Sequence, residues 1–306
     1  MEIIRITAGE AQEKMNRGAL PIHTLPADHF CRLHLPGARN ACVYQVSFIG
    51  DIKTIVAQHD QPLILYGSSN HSQDAEVAAE KLVREGYQKV FVLDGGLDAW
   101  QAAGLPVEGD KMPQPDPATH LPNVDGIYKL DTAASLVGWA GRNQNSKHFG
   151  TLQLKSGQIQ IEGKGISGHL VVDMESMENI NLAGNDLQPV LIAHLKSDDF
   201  FFTKLFPTAT FTIEEGRIAD PASLTAANCQ LQGSLTLRAV SRELAFPATI
   251  TPRDNGNLGV EAHYDLDRTL WNIIYGSSRF FEHLGMHTVF ETISIELRLV
   301  LEPLKE

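Results

Sequence analysis

A proline-rich segment near the middle of the chain separates two different hydrophobic patterns. Residues 112–122 hold four prolines in eleven residues, a composition that favours an extended and rather stiff linker. Before this segment, apolar strand-like runs alternate with helical patterns, whereas after it apolar residues recur at every second position. The 306 residues are therefore expected to form two domains, at residues 1–110 and 123–306, joined by a linker at residues 111–122.

In the first half, strands are predicted at residues 19–25, 41–44, 62–66 and 89–93, and helices at residues 9–17, 46–58, 74–85 and 97–103. Strands that alternate with helices favour a mainly parallel sheet covered by helices. The predicted helix after Tyr66 carries an apolar stripe at helical spacing, and Ser72 is its predicted N-cap.

In the second half, the alternation of apolar and polar residues predicts antiparallel strands with one buried face. Leu152 and Leu154 alternate with polar residues, Lys155-Ser156-Gly157 is expected to turn, and the pattern resumes at Ile159, so a hairpin is predicted there. Many such strands in series predict a β-sandwich or a closed barrel, and a barrel of about eight strands can hold one small ligand.

Two aromatic segments interrupt these strands. Four phenylalanines lie within residues 200–206, and Pro207 forbids one continuous helix, so a short helical turn, a break and a strand from about Ala209 are predicted. Residues 271–287 form the second interruption, which is interpreted either as a lid over a barrel mouth or as a core plug. The rings of both segments either pack in a core or line a cavity for a long apolar ligand.

The second half resembles the YceI-like family over residues 123–301. The resemblance rests on several motifs in order: Tyr128-Lys129-Leu130-Asp131, Ser135-Leu136-Val137-Gly138-Trp139, residues 150–157, residues 171–177, residues 194–211, Gly233-Ser234-Leu235-Thr236-Leu237 and Asp267-Arg268-Thr269-Leu270-Trp271. The family implies an antiparallel, lipocalin-like β-barrel, which in some members holds an isoprenoid chain. The residues expected to line such a cavity are aromatic: Trp139, Phe206, Phe211, Trp271, Phe280 and Phe281.

The first half resembles a single rhodanese domain over nearly all of residues 1–110. The matching motifs are His34-Leu35-Pro36-Gly37-Ala38, Leu63-Ile64-Leu65-Tyr66, residues 78–82, Gly86-Tyr87, Gly95-Gly96-Leu97-Asp98-Ala99-Trp100 and Gly104-Leu105-Pro106-Val107. The family implies a strand that ends in a cysteine, which carries sulfur as a persulfide. The backbone amides of the following loop and helix favour that anion.

This chain departs from the rhodanese pattern at the cysteine itself, because Gly67 stands at that position. The degenerate loop consists of Gly67, Ser68, Ser69, Asn70, His71 and Ser72. The aspartate that usually follows the early strand is also missing, since Ile22 is followed by His23. The domain is therefore expected to be an inactive regulatory or docking module for a protein partner. The alternative is a sulfurtransferase or another enzyme that uses a non-standard nucleophile, such as Cys31, Cys42 or a loop serine beside His71.

Composition excludes several other classes of protein. The formal charge of −12 argues against a nucleic-acid partner, and no apolar run is long enough for a membrane span. The start of the chain lacks a signal-peptide pattern, so a cytoplasmic protein is expected. The three cysteines and the histidines show no metal-binding spacing, and no cofactor is expected other than a bound isoprenoid or fatty-acid-like lipid. The oligomeric state stays open.

Overall fold

The computed structural model describes residues 3–110 and 119–304. The chain divides into two compact units, Met1–Asp116 and Pro117–Glu306. Residues 111–118, which include most of the predicted linker, lie outside the described residues. The described remainder of that linker belongs to the second unit, because the Leu121 amide donates to the Ala222 carbonyl oxygen at 2.8 Å.

The first unit is a five-stranded parallel sheet with helices on both faces, as the sequence predicted. The strands lie in the order β1-β5-β4-β2-β3. Their bounds are β1 (Ile4–Ile6), β2 (Leu20–His23), β3 (Arg39–Asn40), β4 (Leu63–Tyr66) and β5 (Val90–Leu93). The helices are α1 (Ala8–Asn16), α2 (Ala27–Arg32), α3 (Phe48–Ile55), α4 (Asp74–Arg84) and α5 (Gly96–Ala102).

The central strand β4 explains why both faces of this sheet are covered. All four of its residues are buried, so it reads as an unbroken apolar run rather than an alternating one. Leu63 and Leu65 share a core with residues of α3 and α4, whereas Ile64 and Tyr66 share a core with residues of α1 and α5. The end of β4 is thereby held rigidly from two sides, and the loop that follows it starts from a fixed point.

Three details of this unit differ from the predictions. Helix α4 begins at Asp74, as predicted, but its N-cap position is Gln73 rather than Ser72, and no side chain caps it. No strand lies at residues 41–44, where one was expected: the two-residue strand β3 ends just before them, at Asn40, and the chain turns at residues 43–44. Strand β1 and helix α2 were not predicted, since each is too short to show a clear period.

The second unit is a closed antiparallel barrel, which is the predicted fold class. Its strands are β6 (Gly126–Leu130), β7 (Leu136–Arg142), β8 (Lys147–Glu162), β9 (Gly165–Asn179), β10 (Thr208–Ile218), β11 (Cys229–Leu237), β12 (Val240–Pro252), β13 (Leu258–Asp267) and β14 (Thr292–Pro303). Pairing of β13 with β14 closes the sheet. Strands β6 and β7 both lie between β8 and β14, one at each end, so the ring has eight positions. Helix α6 (Leu187–Lys196) follows β9.

The predicted hairpin around Ser156 is instead one long strand. Strand β8 runs without a turn through residues 155–157, and its register against β9 shifts between Leu154 and Ser156. Such a β-bulge adds one residue, so the buried positions step from Leu154 to Gly157 rather than by two. The change of phase resembles a turn in the sequence, whereas the real turn lies at residues 163–164.

The aromatic segment at residues 200–206 contains turns rather than the predicted helix. The helix of this region is α6, which ends at Lys196, before the phenylalanines begin. Strand β10 starts at Thr208, directly after Pro207, close to its predicted start. Across residues 3–110 and 119–304, no helix combines the length and the apolar character that a membrane crossing requires.

Candidate functional site

The barrel is packed at one end and hollow at the other. At the packed end, Ile159, Ile250, Val260, Leu299 and Leu301 are buried in one apolar core. At the other end, a cavity of about 300 Å³ extends between the strands. This volume lies at the lower limit of the range of about 300–1,000 Å³ that is typical of small-molecule sites.

The cavity wall is built from the inward-facing positions of the strands and is almost entirely apolar. Its strand residues include Val137, Trp139, Leu152, Leu154, Leu170, Val172, Met174, Ala209, Phe211, Leu235, Leu237, Tyr264, Leu266, Ile293, Ile295 and Leu297. On each strand these residues lie two positions apart, because alternate side chains point to the same face. The period-two pattern of the sequence therefore identifies the strand residues that form the cavity wall.

Helix α6 and the turns after it border the cavity at the hollow end. Leu191, His194 and Leu195 line it from the helix, and Phe200 lines it from the first turn. The His194 ring meets Phe200 and Tyr275 edge-on, with centroids 5.0 and 4.8 Å away. Its Nε2 lies 3.2 Å from the Asp199 carboxylate. These aromatic contacts tie the turn to the segment at residues 271–287.

A buried arginine holds the second interruption over the cavity. Arg268 is 1% exposed, and it donates hydrogen bonds to the carbonyl oxygens of Phe290 (3.0 Å), Val289 (3.1 Å) and Ile273. Burial lowers the pKa of this guanidinium, while the charges of Glu291 and Asp267 act in the opposite direction. Its hydrogen bonds join both ends of the segment, so Arg268 organises one side of the mouth. The sequence placed this residue in a motif without indicating that role.

Two polar atoms on the wall have no partner among the described residues. The Tyr264 ring stacks on the Phe246 ring, with the two centroids 4.1 Å apart. Its hydroxyl makes no hydrogen bond to any described residue, and burial raises the pKa of this hydroxyl above its usual value. Trp139 has a buried indole N–H that is likewise unpaired. Both residues pair with Ile295, one from each neighbouring strand, so they lie at the same level of the cavity. The wall is therefore apolar with a few polar groups, as in many ligand sites.

The six aromatic residues expected to line the cavity divide into two groups. Trp139 and Phe211 lie on the wall. The other four do not, which corrects their expected positions: Phe206 packs edge-on against Phe202, Trp271 is buried in the core, and Phe280 and Phe281 are exposed. The Trp271 indole donates to the Leu235 carbonyl oxygen at 2.9 Å. Aromatic content marked the right segments, but it does not specify which way a ring in a turn points.

The degenerate loop of the first unit lies against the start of α5. Gly67 is buried, and its carbonyl oxygen accepts a hydrogen bond from the Leu97 amide at 2.9 Å. The backbone carbonyl oxygen of Ser68 accepts from the Asp98 amide, also at 2.9 Å. Asn70 and His71 are exposed. Within the described residues, no hydroxyl of Ser68, Ser69 or Ser72 bonds to the His71 ring.

A carboxylate occupies the space beside Gly67. A Cβ atom at this position would lie 2.6 Å from Cγ of Asp74 and still closer to its oxygens. Asp74 is buried, the Thr24 hydroxyl donates to one of its oxygens, and the other oxygen has no partner among the described residues. Burial lowers the pKa of the neighbouring His23 to about 4, although the Asp74 charge opposes the shift. The base of the loop therefore carries a neutral imidazole and a carboxylate instead of a thiol.

No three histidine, cysteine or acidic side chains come close enough to hold a metal ion within residues 3–110 and 119–304. Cys31 is exposed on α2, whereas Cys42 and Cys229 are buried. Burial raises the pKa of the Cys229 thiol to about 12, which keeps it protonated and unreactive at neutral pH.

Together, the units define an α/β domain that precedes a lipocalin-like barrel with an apolar cavity. Residues 128–301 match the YceI-like domain, and residues 7–103 match the rhodanese-like domain. The chain belongs to the YceI-like family and carries a rhodanese-like domain before the barrel.

The first unit is similar to thiosulfate sulfurtransferases. It is 31% identical over 102 residues to GlpE of Ectopseudomonas mendocina, a match that covers 33% of this chain and 87% of that protein. GlpE of Vibrio cholerae is 38% identical over 52 residues, which cover 17% of this chain and about half, 47%, of that relative. A solved polyisoprenoid binding domain from Saccharophagus degradans is 17% identical, with a TM-score of 0.41, and the match covers 58% of this chain and 98% of that domain.

Proposed function

We propose that the barrel binds one long apolar molecule, of isoprenoid or fatty-acyl type, and that the rhodanese-like unit is a non-catalytic module. The observation that carries this proposal is the cavity of about 300 Å³ with an apolar wall, in a barrel whose other end is filled. A barrel that needed only a stable core would fill both ends, because an empty cavity costs stability. The hollow end is therefore best explained by an occupant.

The energetics of such binding are favourable without a charged anchor. Each buried methylene contributes roughly 0.8 kcal/mol, so about ten of them contribute on the order of 8 kcal/mol. Lost translational freedom and ordering offset several kcal/mol of this gain. Micromolar or tighter affinity is within reach of a chain that the wall encloses. The neutral hydroxyl of Tyr264 is available to a carbonyl or hydroxyl group on such a ligand, and burial, which raises its pKa, further disfavours its ionisation.

A cavity-filling substitution tests the barrel proposal. Ala209→Phe places a ring into the cavity from β10, whereas Thr212→Phe adds the same ring to the exposed outer face of the same strand. A fluorescent isoprenoid analogue should bind the wild type and Thr212→Phe alike, and its affinity for Ala209→Phe should fall by about tenfold or more. Equal affinity in all three chains would mean that the analogue binds elsewhere.

The lack of a thiol at Gly67 supports the non-catalytic role of the first unit. A glycine cannot carry a persulfide, and the Asp74 carboxylate fills the adjacent space. A seryl oxygen is no substitute, since it does not carry transferable sulfur as a thiolate does. A steady-state assay with thiosulfate and cyanide should detect no turnover. Turnover that disappears when Cys31 or Cys42 is replaced by serine would refute this part of the proposal.

A further inference from the structure

The hollow end of the barrel exposes a concentration of large apolar side chains. Six of them, Leu187, Val190, Phe280, Phe281, Met286 and Phe290, form what we name the apolar rim. Each is between 44% and 82% exposed. All six lie on α6 or on the segment between β13 and β14, and both segments contribute residues to the cavity lining. Exposed apolar groups concentrated in this way, rather than scattered singly, mark an interaction surface. The barrel-binding proposal does not use this surface, because of these six only Phe290 lines the cavity.

The rim adjoins the cavity wall on two segments of the chain. On α6, Leu187 and Val190 are exposed, and Leu191 and His194 line the cavity. Their spacing of three, four and seven residues from Leu187 puts all four on one face of the helix. On the segment before β14, Phe290 is both a lining residue and 44% exposed. An apolar chain that leaves the cavity therefore meets the rim before it meets open water.

The rim is also held in place rather than loosely extended. Arg279 forms ion pairs with Asp267 (3.1 Å) and Glu291 (2.6 Å), which fix the turn that precedes the two phenylalanines. The amides of Phe280 and Phe281 both donate to the Ser277 carbonyl oxygen, at 3.1 and 3.0 Å. The polar groups of this turn are thus paired internally, and the rings of Phe280 and Phe281 remain on the outside.

We propose that the apolar rim docks the protein on the surface of a lipid bilayer, so that an apolar chain passes between bilayer and cavity without crossing water. The choice of a bilayer rests on the proposed ligand class, since long apolar chains reside in membranes, and on the continuity of rim and wall at Phe290. Residues 111–306 carry 16 basic and 23 acidic side chains, so attraction to anionic lipid does not drive docking. Apolar burial in the interfacial region does.

Vesicle sedimentation with the full-length chain tests this proposal. Phosphatidylcholine vesicles, which have no net charge, should carry the wild type into the pellet, and ~0.5 M salt should not release it. Phe280→Ser combined with Met286→Ser should weaken partitioning by about tenfold or more. The matched control is Ile127→Ser combined with Leu304→Ser. These two residues are 41% and 47% exposed and lie where β6 meets the end of β14, away from the cavity.

Three results would overturn the docking proposal. They are a wild-type chain that stays in the supernatant, an equal loss in both double variants, and self-association through the rim, seen by gel filtration, without vesicle binding. Binding of the fluorescent isoprenoid analogue is measured in parallel without vesicles, where the rim double variant should match the wild type. Vesicle binding without analogue binding would refute the proposed ligand and leave docking intact, so the two failures are distinguishable.

Discussion

The space beside Gly67 allows a quantitative test of how the rhodanese-like site is closed. The φ angle of Gly67 does not lie in the left-handed region, so alanine is compatible with its backbone, and the three atoms nearest to a Cβ atom there all belong to the Asp74 carboxylate. Gly67→Ala should therefore destabilise the first unit by about 1–3 kcal/mol, the usual cost of overpacking. In an Asp74→Ala background the obstructing atoms are gone, and the same substitution should stabilise by about 0.4–1 kcal/mol by restricting the unfolded chain.

The difference between the two backgrounds is a coupling energy of about 1.4–4 kcal/mol, which a double-mutant cycle isolates from the separate effect of losing the carboxylate. Scanning calorimetry of the full chain, following the transition of the first unit, should resolve it, since about 1 kcal/mol corresponds to a shift of roughly 4–8 °C in a small domain. Gly50→Ala is the matched control, because no atom lies within 4 Å of its Cβ position. Additivity within about 0.5 kcal/mol at Gly67 would refute the reasoning.

Three further predictions follow from buried groups and from the division into units. Burial lowers the pKa of His23 to about 4 in the folded state, below its ordinary 6.5, so the unfolded chain binds the proton first. Stability of the first unit should therefore fall by up to about 3 kcal/mol between pH 6.5 and pH 4, and His23→Gln should abolish this slope in calorimetric scans. Trp271→Ala should lower the free energy of unfolding of the barrel by about 3–5 kcal/mol, since the ring fills the core; an unchanged melting temperature would contradict this placement. Separate chains that end at Asp110 or start at Thr119 should each melt cooperatively, and failure of both to fold would show that the units depend on each other.

Much of the fold can be predicted from the sequence alone, because it depends on patterns among residues that are close in the chain. The alternation of apolar strands and helical stripes predicts a covered parallel sheet, because strand β4 is apolar at every position and α4 at every third or fourth. Period-two alternation predicts the barrel strands, as in β14. The glycine at position 67, after the apolar strand, is likewise visible without a structure. Each of these features depends on residues that are close in the chain.

The site, by contrast, depends on residues that are far apart in the chain. Trp139 and Trp271 have the same ring, yet Trp139 lines the cavity and Trp271 fills the core. The difference arises because the residues that surround each ring come from other, distant strands. The bulge in β8 resembles a turn in the sequence, because only its register against β9 distinguishes the two. Asp74 fills the space beside Gly67 only because the loop brings the start of α4 back to the end of β4. Periodicity gives the direction of a side chain within its own strand, but the volume it meets there is a property of the closed barrel or the packed loop, and tertiary structure alone decides it.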